Sequence, residues 1–179
     1  MKKLFLLVAL IFATFTASAQ FYYGGALGFS RNATDNVTTV TIAPEVGYSF
    51  NEKWSLGGVL DYDYNFNKGV NLNIFEISPY LRYTYARVAD DKLKFFLDGG
   101  IGFGVQKVSK GDAGFVYHIG FKPGVSYSFN EHWSVVAHLG NLGWEGATDK
   151  ASQEYARKNK FTWNIFNWND LTLGFYYSF

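Results

Sequence analysis

The sequence predicts an all-β protein, an eight-stranded antiparallel up-and-down transmembrane β-barrel preceded by a cleaved signal peptide. Large apolar residues alternate with small or polar ones in eight segments, which is the period of a strand with one apolar face. Short turns and longer loops alternate between these segments, as they do at the two ends of a transmembrane barrel. A proline-to-aromatic frame also recurs along the chain, which indicates a repeated hairpin.

Residues 1–19 have the three parts of a secretory signal peptide. Lys2 and Lys3 form the charged beginning, an apolar run follows, and small residues form a cleavage site before Gln20. A membrane-anchoring helix is the alternative, but the apolar run is shorter than the roughly 20 residues that a span requires. We therefore predict a signal peptide followed by one β-barrel domain, residues 20–179.

The composition excludes several classes of function. Without Lys2 and Lys3 the formal charge falls by two, from +1 to −1, so no basic field indicates nucleic-acid binding. Cysteine is absent, which excludes disulfides and thiolate chemistry. The chain shows no metal, nucleotide or cofactor spacing, so we predict no cofactor. The aromatic content of 20% is instead typical of strands and membrane interfaces.

The alternation places eight strands, of which the last has a blurred beginning. They lie at about residues 21–30, 37–50, 54–65, 72–87, 93–107, 114–129 and 133–142, and the last begins within 161–171 and ends at Phe179. Turns of three or four residues follow strands two, four and six, whereas longer loops follow the odd-numbered strands. Both ends of the domain therefore lie on the side of the short turns, which predicts short periplasmic turns and longer extracellular loops.

The even-numbered strands share one frame. Pro44, Pro79 and Pro123 are each followed by a tyrosine four residues later and by another aromatic residue after two more, and Leu173 takes the place of proline in the last strand. Proline removes a donor from the ladder of hydrogen bonds between strands. We therefore expect a bulge or a missing hydrogen bond at each of the three prolines.

The distribution of charge decides which face of the barrel is outside. The alternatives are a soluble, lipocalin-like cup with an apolar interior and a membrane barrel with an apolar exterior. Eight charges in the predicted strands fall on the face that is otherwise crowded with glycine, serine, threonine and alanine, as a narrow interior requires. These luminal charges are Glu45, Asp61, Asp63, Glu76, Arg82, Lys94, Asp98 and Lys122. Aromatic residues also cluster beside the short turns, which favours the membrane barrel.

The signal peptide, the alternating strands, the short turns and the terminal segment Leu-Gly-Phe-Tyr-Tyr-Ser-Phe make the chain resemble the OmpX/OmpA-type family of outer-membrane β-barrels. The resemblance covers residues 20–179 and implies a location in the cell outer membrane, in contact with its lipid and lipopolysaccharide. It also implies periplasmic chaperones and the barrel-assembly machinery as partners during biogenesis. The residues of the last strand that would form the assembly signal are Leu173, Phe175, Tyr177 and Phe179. We expect a monomer.

Three functions remain open for the luminal charges. They can form a paired, hydrogen-bonded plug, which is the ordinary way to satisfy buried charge. They can instead line a narrow pore, although an eight-stranded barrel leaves little space beyond its side chains. Similar barrels also include lipid A-modifying enzymes, which use histidine with serine and a carboxylate at the lipid-facing outer rim. His118 and His138 are predicted to face the lumen instead and His132 lies in a short turn, so we predict no catalytic site.

The longest predicted loop, residues 144–160, is polar and charged. Loops of this kind concentrate binding functions. Arg157, Lys158 and Lys160 could contact lipopolysaccharide phosphates, and a solvated loop is the alternative. We therefore predict a structural or surface-interaction protein that acts through its extracellular loops.

Overall fold

The computed structural model describes residues 20–32, 37–67, 70–109, 111–148, 159–165 and 172–179. The predicted signal peptide, together with Arg157 and Lys158, lies outside these residues. The strands are β1 (Gln20–Asn32), β2 (Val37–Ser49), β3 (Trp54–Asn67), β4 (Val70–Val88), β5 (Leu93–Val108), β6 (Ala113–Ser128), β7 (Trp133–His138), β8 (Gly140–Ala147), β9 (Lys160–Ile165) and β10 (Thr172–Ser178). Among the described residues there is no helix long and apolar enough to cross a membrane.

The strands form one antiparallel sheet that closes on itself. Each strand from β1 to β6 pairs with its neighbour in sequence, and β10 pairs with β1 on one side and with β7 on the other. Since β7 and β8 both pair with β6, they are the two halves of the seventh strand. Because β9 pairs with β8 and β10 pairs with β7, these two are the halves of the eighth. The predicted closed, eight-stranded antiparallel barrel is confirmed.

The seventh strand is longer than the sequence predicts. The predictions of a strand that ends at residue 142 and of a loop over 144–160 were wrong. In the structure β8 continues to Ala147, and Lys160 is the first residue of β9. Trp144, predicted as the first residue of the loop, faces Phe161 across this ladder. The loop is therefore shorter than predicted, and the strands on both sides of it extend the barrel wall outward.

One extra residue explains why the pattern was hard to read there. Gly124 of β6 faces His138, whereas Phe121 faces Leu142, so the seventh strand advances four residues while β6 advances three. Gly140 lies in this irregular step with a φ of 120°, a conformation that residues with a side chain rarely adopt. A bulge of this kind reverses the inward and outward positions, which interrupts a period of two.

Each proline lies where the ladder on one side is interrupted. The pairing of β2 with β3 omits Ala43 and Pro44, and the pairing of β4 with β5 omits Ser78 and Pro79. Pro123 lies at the change of register between β6 and the seventh strand. The prediction of a bulge or a missing hydrogen bond at these positions is confirmed, and it is the expected consequence of a residue without an N–H.

The burial pattern is the reverse of that of a soluble protein. Leu27 and Phe29 on the outer face are 71% and 73% exposed, whereas Glu45 and Asp98 inside the barrel are 4% and 5% exposed. An apolar exterior around a charged interior is the arrangement of a membrane barrel, so a lipocalin-like cup is excluded. The aromatic side chains beside the short turns also contact one another: the ring centroids of Trp54 and Tyr83, for example, lie 4.7 Å apart.

Candidate functional site in the barrel lumen

Arg82 lies at the centre of the described luminal side chains. It projects from β4, where alternation with the lipid-facing Leu81 and Tyr83 directs its side chain inward. Its Nε donates to Asp98 Oδ1 at 2.7 Å and its terminal NH2 group donates to Asp98 Oδ2 at 2.8 Å. The same NH2 group lies 3.4 Å from Glu45 Oε1. The bidentate contact fixes the planar guanidinium, since both of its parallel hydrogen bonds are charge-assisted.

Two tyrosines complete the hydrogen bonding of Glu45, and a third is bound to one of them. Tyr80 donates to one carboxylate oxygen and Tyr176 to the other. The hydroxyl of Tyr22 is 2.6 Å from that of Tyr80. Glu45, from β2, is therefore held by side chains from β4 and β10, which connects three parts of the barrel wall through its interior.

Aromatic rings also surround the guanidinium. The Cζ atom of Arg82 lies 4.0 Å from the ring centroid of Phe96 and 5.1 Å from that of Tyr80. A cation over an aromatic face is attracted by the negative face of the ring, and this attraction increases when water is excluded. We use the name Arg82 network for Arg82 together with the side chains that contact it directly or through Asp98 or Glu45. Its members are Tyr22, Glu45, Tyr80, Arg82, Phe96, Asp98, His138 and Tyr176.

Glycines provide the space that these rings occupy. A Cβ at Gly47 would overlap the ring of Tyr22, and one at Gly57 would overlap the ring of Tyr80. Gly47 and Gly57 face each other on β2 and β3, so two neighbouring tyrosines lie over a patch of bare backbone. The narrow lumen therefore accommodates large side chains because the facing positions have none.

Two histidines extend the luminal hydrogen bonding toward the long-loop side. His138 Nε2 lies 2.9 Å from Asp98 Oδ2, so this carboxylate contacts both an arginine and an imidazole. His118 Nδ1 lies 3.2 Å from Oε1 of the buried Glu76. Both histidines face the lumen as predicted.

The remaining predicted charges are less tightly held. Asp61 accepts a hydrogen bond of 3.1 Å from the hydroxyl of Ser78, and Asp63 accepts one of 2.5 Å from Thr41. Lys122 lies opposite Asp98 on β6, but within the described part of the chain it makes no ion pair. All of these side chains lie on the inner face, but the sequence could not indicate their partners.

The Arg82 network separates two cavities. The one on the long-loop side has a volume of about 100 Å³ and is lined by His118, Lys122 and Glu145, among others. The one on the short-turn side has a volume of about 430 Å³ and contains Arg87 and Lys94 in its wall. Tyr176 contributes to both linings. The lumen therefore has a constriction between the two cavities, which the Arg82 network fills. We call this constriction the waist.

The sequence did not lead to a prediction of the aromatic members of the Arg82 network or of the luminal position of Arg87. Tyr80, Phe96 and Tyr176 occupy the same alternating positions as the luminal charges, and this signal could have placed them in the plug. Arg87 was not assigned to the lumen, because strict alternation from Arg82 directs it to the lipid. A register shift between Thr84 and Ala86 turns it inward, and the sequence shows this shift only as a break in the alternation near the end of the strand.

The other predicted site residues lie at the ends of the barrel. Lys160 Nζ lies 2.9 Å from Glu145 Oε1 across the β8–β9 ladder. The other two predicted lipopolysaccharide contacts, Arg157 and Lys158, lie outside the described residues. The four residues of the predicted assembly signal form part of the seam between β10, β1 and β7: Leu173, Phe175, Tyr177 and Phe179. His132 stacks on Tyr177 with ring centroids 5.4 Å apart, which braces this terminus.

Within the described ranges, no group of three or more His, Cys, Asp or Glu side chains comes together as the ligands of a metal ion would. The luminal carboxylates instead accept hydrogen bonds from arginine, tyrosine, serine and threonine. These described side chains interact through hydrogen bonds and charge compensation.

The closed wall, the lipid-exposed apolar face and the charged lumen define a small transmembrane β-barrel. More particularly, residues 4–179 match the model of the outer membrane protein β-barrel domain, and the chain belongs to this family. The resemblance to small outer-membrane barrels is thereby confirmed, as is an outer-membrane location. A comparison with the curated proteins found no match.

Several solved structures are similar to the chain at low identity. The outer membrane protein OprG from Pseudomonas aeruginosa is 14% identical, with a TM-score of 0.46 over 91% of this chain and 96% of that one. A de novo designed transmembrane β-barrel is 16% identical, with a TM-score of 0.34 over 89% and 95% of the two chains. OmpT, an outer membrane protein of Vibrio cholerae, is 18% identical, with a TM-score of 0.38 over 92% and 52%. No functional conclusion follows from these similarities.

Proposed function

We propose that this protein is a non-conducting outer-membrane barrel, with a structural or surface-interaction role carried by its extracellular loops. The Arg82 network is the observation that carries this proposal. It places a guanidinium, two carboxylates, three tyrosines and a phenylalanine across the waist, and each charged member has an oppositely charged partner. Removing one partner from a buried ion pair costs about 3–5 kcal/mol. The closed waist is therefore strongly favoured over an open one, in which these pairs would be broken.

The surface role is supported by the way the barrel presents its longest loop. The β8–β9 ladder extends the wall on the long-loop side, and Glu145 is held there by Lys160 and by the hydroxyl of Thr162 at 3.1 Å. A rigid wall beneath a polar loop is the usual arrangement for binding by loops. Lipopolysaccharide contact by Arg157, Lys158 and Lys160 stays a prediction.

A narrow pore is the second candidate, and one observation favours it. Cavities of about 100 and 430 Å³ lie on the two sides of the waist, so displacement of a few side chains would join them. Such a pore would require Arg82 to leave Asp98 and Glu45 at the same time. The two candidates therefore differ in whether the waist opens.

Single-channel recording on the refolded protein in planar bilayers distinguishes the two. We expect no steady unitary conductance from the native protein or from Lys122→Gln, which removes a luminal cation that has no ion pair within the described residues. Arg82→Met leaves Asp98 and Glu45 without their partner, and we expect a loss of stability of about 3–5 kcal/mol. Urea unfolding in detergent micelles measures that loss.

A steady unitary conductance of the native protein would overturn the proposal in favour of the pore. An unfolding midpoint in Arg82→Met equal to that of Lys122→Gln would show that the network does not hold the waist. Lipid A composition compared by mass spectrometry with and without the protein tests for an enzyme, and we expect an unchanged profile.

A further inference from the structure

The short-turn cavity contains two cations side by side. Arg87 of β4 faces Lys94 of β5 in the ladder, and both line this cavity. The register shift between Thr84 and Ala86 creates the arrangement, since without it Arg87 would point to the lipid. Like charges directly opposite each other on neighbouring strands destabilise a sheet unless something compensates them.

The two cations differ in the contacts that they make with the described residues. The NH2 group of Arg87 donates to the carbonyl of Glu52 at 2.6 Å, and its NH1 group lies 3.5 and 3.6 Å from the carboxylates of Glu52 and Asp91. Those two carboxylates are largely exposed, so they compensate weakly. The buried Nε of Arg87 has no hydrogen-bond partner. Lys94 has no ion pair with any residue in the described ranges.

The rest of the cavity wall supplies donors for an anion. Ser126 faces Lys94 directly on β6, so its hydroxyl lies on the same side of the sheet as the ammonium. Further hydroxyls line the same cavity: Ser49, Ser55, Thr84, Ser128, Ser134 and Ser178. Hydroxyl, ammonium and guanidinium groups are the side-chain donors that bind phosphate and carboxylate oxygens. The volume of about 430 Å³ lies within the range of small-ligand pockets.

Acidic residues limit the size of the anion. Glu52, Asp91 and Glu131 also line the cavity. Because they would repel an extended polyanion, a small oxyanion close to Lys94 is favoured.

We propose that the short-turn, periplasmic cavity binds a small oxyanion, a phosphate or a carboxylate, at Lys94 with Arg87 and Ser126 beside it. The anion compensates the two adjacent cations that the barrel wall brings together. A dissolved periplasmic solute and the headgroup of an inner-leaflet lipid share this chemistry. The site lies below the waist, so it does not depend on whether the waist conducts.

The test is an NMR titration of the refolded, ¹⁵N-labelled protein in an uncharged maltoside detergent. Inorganic phosphate or acetate is added at constant ionic strength, with chloride as the reference salt. We expect saturable shifts of the Lys94 and Ser126 amides. Lys94→Gln should weaken the affinity at least about tenfold, as expected when one charged hydrogen bond is lost. Lys92→Gln, a change on the adjacent exposed turn, should leave the affinity unchanged.

A second arm identifies the source of the anion. The same spectra are recorded in nanodiscs of phosphatidylcholine with and without phosphatidylglycerol. Shifts that occur with dissolved phosphate assign the site to a solute, and shifts that require phosphatidylglycerol assign it to a lipid headgroup. The proposal is overturned if neither produces saturable shifts, if chloride produces the same shifts, or if Lys94→Gln responds like Lys92→Gln.

Discussion

At the scale of single residues, the lumen is built from pairs of a glycine and a large side chain on adjacent strands. Gly57 lies under Tyr80, and Gly124 lies under Phe96 in the same way. These pairs let rings lie flat across the interior, where they reach Glu45 and Arg82. The glycines of this chain are therefore as important for the plug as its charges.

Gly57→Ala tests this arrangement against a neighbouring glycine. A methyl group at Gly57 overlaps the ring of Tyr80, whereas a Cβ at Gly58 meets no atom within 4 Å. We expect Gly57→Ala to reduce the free energy of unfolding by about 1–3 kcal/mol, the usual cost of overpacking. Gly58→Ala should be near neutral. Urea unfolding in micelles compares them, and equal midpoints would contradict the role given to Gly57.

The sequence predicts the side of each luminal charge but not its partner. Glu45, Arg82 and Asp98 are assigned inward by the alternation alone. Their contact depends on how β2, β4 and β5 are staggered around a closed barrel, and stagger is a property of the whole sheet. That Glu45 also binds Tyr176, which is 131 positions away in sequence, is beyond any local pattern.

At the scale of elements, two bulges change what the alternation predicts. The shift after Thr84 brings Arg87 into the lumen, and the shift near Gly140 divides the seventh strand. Bulges redirect side chains by inserting one residue, so every later position in the strand changes face. The sequence shows a bulge only as a loss of periodicity, and for this reason the later part of β8 was predicted to be a loop.

Gly140→Ala tests the second bulge. The φ of 120° at this position is strained for any residue with a Cβ, and we expect a loss of stability of about 1–3 kcal/mol. Gly58→Ala is again the matched control, because Gly58 lies in a regular strand with open space around it. Thermal unfolding in micelles measures the difference, and a neutral Gly140→Ala would mean that the bulge relaxes without cost.

At the scale of the whole molecule, the inverted distribution of hydrophobicity fixes the protein in the membrane. Ile77, in the middle of β4, is 42% exposed, and Tyr85, near the short turn, is 57% exposed. In a soluble protein two such positions would tolerate charge equally. In a lipid bilayer the cost of a charge depends on depth.

Ile77→Arg and Tyr85→Arg therefore form a matched pair. We expect Ile77→Arg to destabilise the folded barrel in lipid vesicles by about 2–4 kcal/mol, and Tyr85→Arg by about 0–1 kcal/mol, because the latter lies near the interface. Equilibrium unfolding in guanidinium, followed by tryptophan fluorescence, measures both. Equal losses at the two depths would argue against the assignment of Ile77 to the bilayer centre.

The sequence by itself determined the number of strands, the lipid-facing side of their regular parts, the short-turn end of the barrel and the irregularity at its prolines. These properties are local: side-chain direction alternates with a period of two, and lipid requires the apolar face outside. Only the tertiary structure decided that Arg82 joins Asp98 and Glu45 at a filled waist, and that Arg87 turns inward beside Lys94. Those contacts depend on barrel stagger and on single inserted residues, which act between distant strands and leave little trace in the pattern of any one of them.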